Sequence, residues 1–209
     1  TKQGAHAPST AAYESLLDVL RYLYVTKDLG ITYGQVRPLD EHDDYEGDRI
    51  RFFSDGSFNG RGEHSPYGGG YVEFYFGALL WVARMLKFKP QSAAEQELGA
   101  MNVMAKEAMF VLQLYSDDMR QKQTVPLEML SDSQSGLDIV RNPGATKHSV
   151  HFERWLYYVR DLYLRGKLKI TFRGTNVMPA DDKTKVVFKA KFIYCRRMQL
   201  NLVIDVNEK

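Results

Sequence analysis

The chain is expected to fold as a mixed α/β domain whose sheet begins with antiparallel hairpins. Three runs rich in Tyr, Phe and Val, at about 49–55, 68–76 and 79–85, follow one another with glycine between them, which marks successive short strands. A long stretch of helical periodicity comes next, at 92–119. Beyond it, short apolar runs alternate with helical ones to the end of the chain, giving the order βββαβαα(β)α. No internal repeat is visible.

Residues 9–26 read as an amphipathic helix. Leu16, Leu17, Leu20, Leu23 and Tyr24 form its apolar stripe, and Ser9 or Thr10 is the expected N-cap. Gly30 and Gly34 flank a short extended piece. Residues 37–48 are acidic and poor in apolar side chains. A solvated linker explains them better than a metal site, and the boundary between an N-terminal extension and the main domain is placed here. Gly68-Gly69-Gly70 lacks the lysine and the spacing of a P-loop, so it is expected to be a turn or bulge that lets backbones approach closely. In the helix at 92–119, Ser92 is the expected cap. Met101, Met104, Ala105, Ala108, Val111, Leu112 and Tyr115 line its inner face, a pattern of core packing. A strand at 127–131 follows, then a helix at 133–141 stopped by Asn142-Pro143-Gly144. A helix at 149–165 ends at Gly166. A strand at 168–173, a loop at 174–179 and a helix from about 180 complete the chain. Trp81 and Trp155 have apolar neighbours and are expected in the core rather than stacked on bases.

The chain has 209 residues, 44% hydrophobic and 26% charged, with a formal net charge of +2. This is the composition of an ordinary globular domain with room for a helical extension. No apolar run is long enough for a membrane span, and no signal-peptide core opens the sequence. The abrupt start is expected of a fragment of a longer protein. The single cysteine, Cys195, has no internal partner. It is expected to pack near the end of the fold and fits a reducing compartment. Charge placement is more informative than net charge. Lys183, Lys185, Lys189, Lys191, Arg196 and Arg197 crowd the C-terminal segment. A basic flank beside an acidic centre suits an enzyme that holds a polyanion, and solvated faces of amphipathic elements are the plainer alternative.

The acidic centre is the sharpest signal. Asp55 closes the first strand-like run, Glu97 opens the long helix, Asp132 closes a short apolar run and Asp181 opens the last helical stretch. Carboxylates that converge repel one another unless cations sit between them. Four hard oxygen ligands suit Mg²⁺ or Mn²⁺, and a pair of such ions is the usual device for phosphodiester chemistry. Each acid also has a plainer reading. Asp132 and Asp181 are good helix caps, Glu97 could lie on a solvated helix face, and Glu95 is its rival two residues away.

In order and spacing, these motifs resemble the ribonuclease H domain of copia-type LTR retrotransposons, preceded by the end of the reverse transcriptase connection region. The segment from Val19 to Gly30 is similar to the family's "LRYLKGTKDLGL". Phe53-Ser54-Asp55-Gly56-Ser57 stands in place of "YSDAD", Gly70-Tyr71-Val72 of "SGYV", and Ala94 to Leu98 of "TEAEY". Asp132-Ser133-Gln134-Ser135 resembles "DNQSA", followed by Asn142-Pro143. His151 to Arg160 resembles the family's "HIDIRYHFVR" helix, and Ala180 to Lys185 resembles "ADILTK". Thr146-Lys147-His148 offers a second match for the family histidine. Two departures stand out: Ser57 replaces the second acid of "DAD", and the loop at 174–179 has no helper histidine.

The resemblance implies a ribonuclease H-like α/β fold, with a five-stranded mixed sheet, its first three strands antiparallel and helices on both faces, plus an N-terminal helix. It divides the chain into 1–48, the end of the connection region with an acidic linker, and 49–209, the ribonuclease H domain with a basic tail. It implies Mg²⁺-dependent cleavage of the RNA strand of RNA–DNA hybrids, with two ions and Mn²⁺ able to substitute. Asp55 would bridge both ions. Glu97 and Asp132 would serve the ion at the scissile phosphate and leaving oxygen, and Asp181 the ion at the attacking water. Gln134 is the candidate for a ribose 2′-OH or base edge, and Ser57, Asn59 and Asn142 are candidates for backbone contacts. Arg141, Arg160 and Lys167 are candidates for phosphates. The implied partners are the hybrid and the polymerase and connection domains of the same polyprotein. The implied location is the cytoplasmic retroelement particle, with the nucleus as an alternative. A catalytically inactive hybrid-binding or assembly module is the rival function, and an integrase-like nuclease is a further one.

Overall fold

The computed structural model describes residues 9–34, 50–57, 66–118, 126–142 and 153–202. It divides into a unit through Gly30 and a unit from Ile31 onward. The first unit contains α1 (Thr10–Val25), capped by the Ser9 hydroxyl, which accepts from the Ala12 N–H at 3.2 Å. No residue of α1 is buried, and Leu16, Leu20, Leu23 and Tyr24 of its apolar stripe are exposed.

The second unit is built on a five-stranded sheet in the order β3-β2-β1-β4-β5. β1 (Arg51–Ser57), β2 (Tyr67–Phe74) and β3 (Gly77–Met85) form the expected antiparallel meander. β4 (Leu127–Ser131) and β5 (Leu168–Phe172) add in parallel beyond β1. The central position of β1 follows from its sequence. Ile50, Phe52 and Phe53 are fully buried, so both faces of this strand are covered.

Side chains alternate across the sheet, and each face has its own core. On one face α2 (Ala93–Asp118), α3 (Gln134–Arg141) and α4 (Glu153–Leu164) pack over Phe52, Val72, Leu127 and Met129. The methionine stripe lies here, with Met101 and Met104 fully buried. On the other face Phe53, Tyr71, Ala78 and Leu130 meet Met178 and Ala180. That face is partly covered by α5 (Lys189–Leu200) and by the 3-10 turn Asp181–Lys183. This arrangement is the α/β fold expected above: a five-stranded mixed sheet with its first three strands antiparallel and helices on both faces.

Three expectations need correction. The glycine triplet is neither a turn nor a bulge, because Gly68, Gly69 and Gly70 are regularly paired inside β2. The close approach it was expected to permit is present: a Cβ on Gly70 would stand 1.8 Å from the Phe53 carbonyl oxygen. The last helix does not begin near 180. A single 3-10 turn is followed by an irregular stretch, and α5 starts at Lys189. The β-branched pair Val186-Val187, the first fully exposed and the second half-buried, disfavours helix locally. Trp81 is 41% exposed rather than core, and its indole N–H donates to the Gln199 amide oxygen at 3.1 Å. Trp155 stacks on Phe88. Cys195 is buried, as its position suggested. The compact unit also reaches further upstream than the acidic segment. The Tyr33 hydroxyl donates to the Ala78 carbonyl at 2.8 Å, and the Asn201 amide donates to the Thr32 carbonyl at 2.9 Å.

Candidate metal centre

β1 carries Asp55 on its Phe53 face, one residue before a glycine that sets the geometry. A Cβ on Gly56 would stand 3.0 Å from Gln96 Cγ and 3.1 Å from the Gln96 carbonyl oxygen. A larger residue would push the first turn of α2 away from β1. With glycine there, Glu97 comes down beside Asp55. Parallel pairing of β1 with β4, with Ser54 opposite Ser131, carries Asp132 to the same end of the sheet. Oxygens of Asp55, Glu97 and Asp132 all lie within 4.8 Å of one another.

The plainer readings of these acids are met by their neighbours instead. Ser133, not Asp132, caps α3, its hydroxyl accepting from the Gly136 N–H at 3.2 Å. Glu95, the rival of Glu97, is occupied at the helix start, where its carboxylate accepts from the Gln91 N–H at 2.6 Å while Ser92 caps Glu95 N–H. Glu97 is not on a solvated face. Its Oε2 is buried without a hydrogen-bond partner among the described residues.

Asp181, the fourth expected acid, is not one of that group of three; its charge acts on Asp55 from the 3-10 turn, which it does not cap. Its Oδ1 lies 2.9 Å from Lys185 Nζ and its Oδ2 lies 3.1 Å from Lys191 Nζ. Lys185 Nζ is also 3.6 Å from Asp55 Oδ1, and the Thr184 hydroxyl donates to Asp55 Oδ2. Asp132 accepts from the Thr175 hydroxyl at 2.8 Å. Asp182 points elsewhere, toward the Gln199 amide at 3.0 Å and Lys183 at 2.8 Å. Sequence reading singled out neither Thr184 nor Thr175, and it took Lys185 and Lys191 only as part of a basic flank. The signal was present: Lys185 lies four residues after Asp181, the spacing of neighbours on one face.

Electrostatics reports crowded carboxylates. Burial, followed by the charges of Asp55 and Asp132, holds the Glu97 carboxyl well above its usual range. Burial also raises Asp55, with Asp181 and Asp132 adding to the effect and Lys185 and Thr184 opposing it. Burial alone would lower Lys185, but Asp55, Asp181 and Asp132 outweigh it and its pKa ends above the usual lysine value. Three convergent carboxylates, one with a buried oxygen that no described residue donates to, form a donor set that fits a hard divalent cation.

The expected nucleic-acid contacts divide. Ser57 ends β1 beside the cluster, and Gln134 opens α3 two residues after Asp132, its exposed amide donating to Asp138 at 2.8 Å. Arg141 and Asn142 are exposed at the far end of α3. Arg160 is not presented outward. It is 7% exposed, and its guanidinium donates to the carbonyls of Ile139, Val140 and Asn142. Lys167 precedes β5, whose first residue pairs with Leu127 at the start of β4. It therefore lies about a strand length, ~15 Å, from the end that carries Asp132. Asn59, His148 and His151 lie outside the described residues. A pocket of about 290 Å³ opens beside the acids, lined among others by Thr175, Asp181, Lys185, Phe188 and Lys191.

No protein-family model matches the chain. Among curated proteins it is similar to the retrovirus-related Pol polyprotein from transposon TNT 1-94 of Nicotiana tabacum. The two are 25% identical over 193 residues, which cover 91% of this chain and 14% of that protein. The chain thus spans about a seventh of its relative's length, and the retroelement resemblance read from its motifs is borne out. Similar solved structures include the N-terminal RNase H domain of Rv2228c from Mycobacterium tuberculosis, 12% identical, covering 65% of this chain and 90% of that one with a TM-score of 0.49. LC11-RNase H1 in complex with an RNA/DNA hybrid is 15% identical and covers 65% of this chain and 94% of that one, with a TM-score of 0.48. The foamy viral protease-reverse transcriptase in complex with an RNA/DNA hybrid is 12% identical and covers 76% of this chain and 22% of that one, with a TM-score of 0.49.

Proposed function

We propose that this chain is a metal-dependent ribonuclease H that cuts the RNA strand of RNA–DNA hybrids within a retroelement Pol polyprotein. The observation that carries this reading is the convergence of Asp55, Glu97 and Asp132 from three separate elements, with Asp181 alongside. A structural role does not explain it. Burial and then crowding raise the cost of ionising Asp55 and Glu97, and a fold under no functional demand would separate such groups.

Asp55, Glu97, Asp132 and Asp181 would hold two Mg²⁺ ions or their Mn²⁺ substitutes. Such ions lower the pKa of an attacking water and offset charge on the leaving oxygen. The chain's own residues supply position. Asp55 is fixed by the central strand. Thr175 and Thr184 orient Asp132 and Asp55 through their hydroxyls. Arg173 anchors the turn that carries Thr175, donating to the Val177 carbonyl at 2.8 Å. Gln134 and Ser57 flank the cluster and are assigned to the sugar and backbone of the RNA strand. Arg141 and Asn142 extend that track along α3. Arg160 and Lys167 are left out, the first because it is buried and the second because it lies at the wrong end of the sheet.

The polymerase and connection domains of the same polyprotein are the proposed partners, in the retroelement particle. Residues 49–209 are assigned to the nuclease domain and 1–48 to the end of the connection region. Among the described residues no helix is long and apolar enough to cross a membrane.

The test is cleavage of labelled hybrid, duplex DNA and duplex RNA with Mg²⁺. The expected outcome is cutting of the RNA in the hybrid alone, with Asp132→Asn reducing the rate by at least ~10²-fold. Tight hybrid binding without cutting would instead mark a non-catalytic binding module.

A further inference from the structure

The four carboxylates are not in equivalent states. Glu97 Oε2 and Asp181 Oδ1 are both buried with no hydrogen-bond donor among the described residues, but of the two only Asp181 has a lysine at ion-pair distance there, and the Asp55–Glu97–Asp132 triad could hold a cation. The Asp55–Asp181 side already holds one. Lys185 Nζ lies 2.9 Å from Asp181 Oδ1 and 3.6 Å from Asp55 Oδ1, and these are its only ion pairs among the described residues. A divalent ion bridging Asp55 and Asp181 would need the place that this ammonium fills.

We propose that Lys185 is a tethered counter-cation, occupying the second cation position between Asp55 and Asp181 until a divalent ion displaces it. The inference rests on the metal-dependent reading of the site. It goes beyond that reading by assigning the order of loading and the residue that sets it.

Two lysines touch Asp181, and only one is built to move. Lys191 sits on α5 with its ammonium fully committed, to Asp181 Oδ2 at 3.1 Å and to the carbonyls of Thr175 and Asn176 at 2.7 and 3.0 Å. Its side chain is 18% exposed. Lys185 stands in the irregular stretch between the 3-10 turn and α5, and its side chain is 40% exposed. Among the described residues the carboxylates alone hold its ammonium. A flexible four-carbon stem carries it, and the pocket beside it gives it somewhere to go.

The consequence is ordered loading. The first ion takes the open triad. The second binds only in the fraction of molecules whose Lys185 has swung out, so its apparent affinity is reduced by that fraction. With the lysine in place nine-tenths of the time, the loss is about tenfold. In return, the cation-free protein keeps a charge that offsets its crowded acids.

The experiment is Mn²⁺ binding to the full 209-residue chain, followed by the paramagnetic resonance of free Mn²⁺ at one fixed pH. Wild type, Lys185→Met and Lys185→Arg are compared, with thermal unfolding of each in the absence of divalent ions. In wild type, one ion is expected to bind clearly more tightly than the other. In Lys185→Met the weaker site should tighten by roughly tenfold, while the cation-free melting temperature falls and Mn²⁺ restores it. Lys185→Arg keeps the charge and should keep the weaker site weak. If Lys185→Met does not fold without cations, Lys185→Gln, which keeps a polar end group, gives the same reading. An unchanged or weakened second site in Lys185→Met or Lys185→Gln overturns the proposal, as does a single site in every variant. A second site that appears only on removal of Lys185 supports it. If wild type binds no Mn²⁺ at all, the metal-dependent reading falls first. If wild type binds two ions and cuts hybrid while Lys185 variants bind as wild type does, only the role of Lys185 falls.

Discussion

Glu97 shows how one residue in this site trades stability for ligand binding. Its carboxyl is buried beside Asp55 and Asp132, and its Oε2 has no donor among the described residues. The fold therefore holds this proton more tightly than the unfolded chain does. Above the ordinary value of 4.5 the unfolded chain has already released its proton, so the unfolded state binds fewer protons than the native one. Cation-free stability must then fall as pH rises through the window between the ordinary and the raised pKa. Glu97→Gln should remove this dependence and raise cation-free stability above that window by on the order of 1 kcal/mol. Urea unfolding at several pH values measures both effects. The same variant should lose Mn²⁺ binding at the tighter site. Glu97 was legible from its motif and from its place at a helix start. The elimination of Glu95 was not, because it depends on a hydrogen bond to Gln91 that exists only once the turn before α2 has formed. Thr184 and Lys185 were likewise seen only as polar and basic residues. Their bonds to Asp55 span 129 and 130 positions of sequence, and no local pattern encodes such a contact.

At the scale of elements, α3 shows why a basic residue was misread. Arg160 on α4 was expected to meet phosphate, yet it fastens the C-terminal turn of α3 through three carbonyls. A helix end leaves carbonyls without intrahelical partners, and a buried guanidinium supplies several donors at once. Arg160→Met should destabilise the protein by about 2 kcal/mol in a denaturant melt. It should leave the slope of hybrid affinity against salt unchanged, whereas a lost phosphate contact would flatten that slope. The strands were read closely, because alternating aromatic and β-branched residues have few other ways to bury themselves. The glycine triplet was read as a turn or bulge although it falls inside the expected strand, since glycine within a strand and glycine before it look alike in sequence. The close packing of Gly70 against the Phe53 carbonyl decides the matter. The late start of α5 has a similar origin. Asp181 has to face the acids while Asp182 faces Gln199, and a short 3-10 turn divides them so.

For the whole molecule, the question is where the folding unit begins. The acidic segment at 37–48 marks the boundary proposed from composition, and the compact unit of the structure starts at Ile31. The Tyr33 ring lies against Gly77, where a Cβ would approach it to 2.7 Å, and Thr32 bonds to both Leu200 and Asn201. A chain beginning at Ile31 should therefore melt cooperatively at the temperature of the full chain and bind Mn²⁺ equally well. A chain beginning at Arg49 should melt lower, by several degrees, because it lacks the segment that covers β3 and the end of α5. Calorimetry on the two truncations distinguishes these outcomes, and equal melting temperatures would support the boundary drawn from composition. α1 forms a unit of its own, with no buried residue.

By itself the sequence determined the fold class and the strand and helix order, and it singled out the four acids as candidates. These are properties of local periodicity and ordered motifs, which short stretches of chain carry intact. Only the tertiary structure decided which neighbours those acids have: a glycine that lets α2 approach, a serine that relieves Asp132 of capping, a lysine lodged between Asp55 and Asp181. Such contacts join positions far apart in the chain, and their energies depend on burial and distance, quantities that come into being only when the sheet and its helices close on one another.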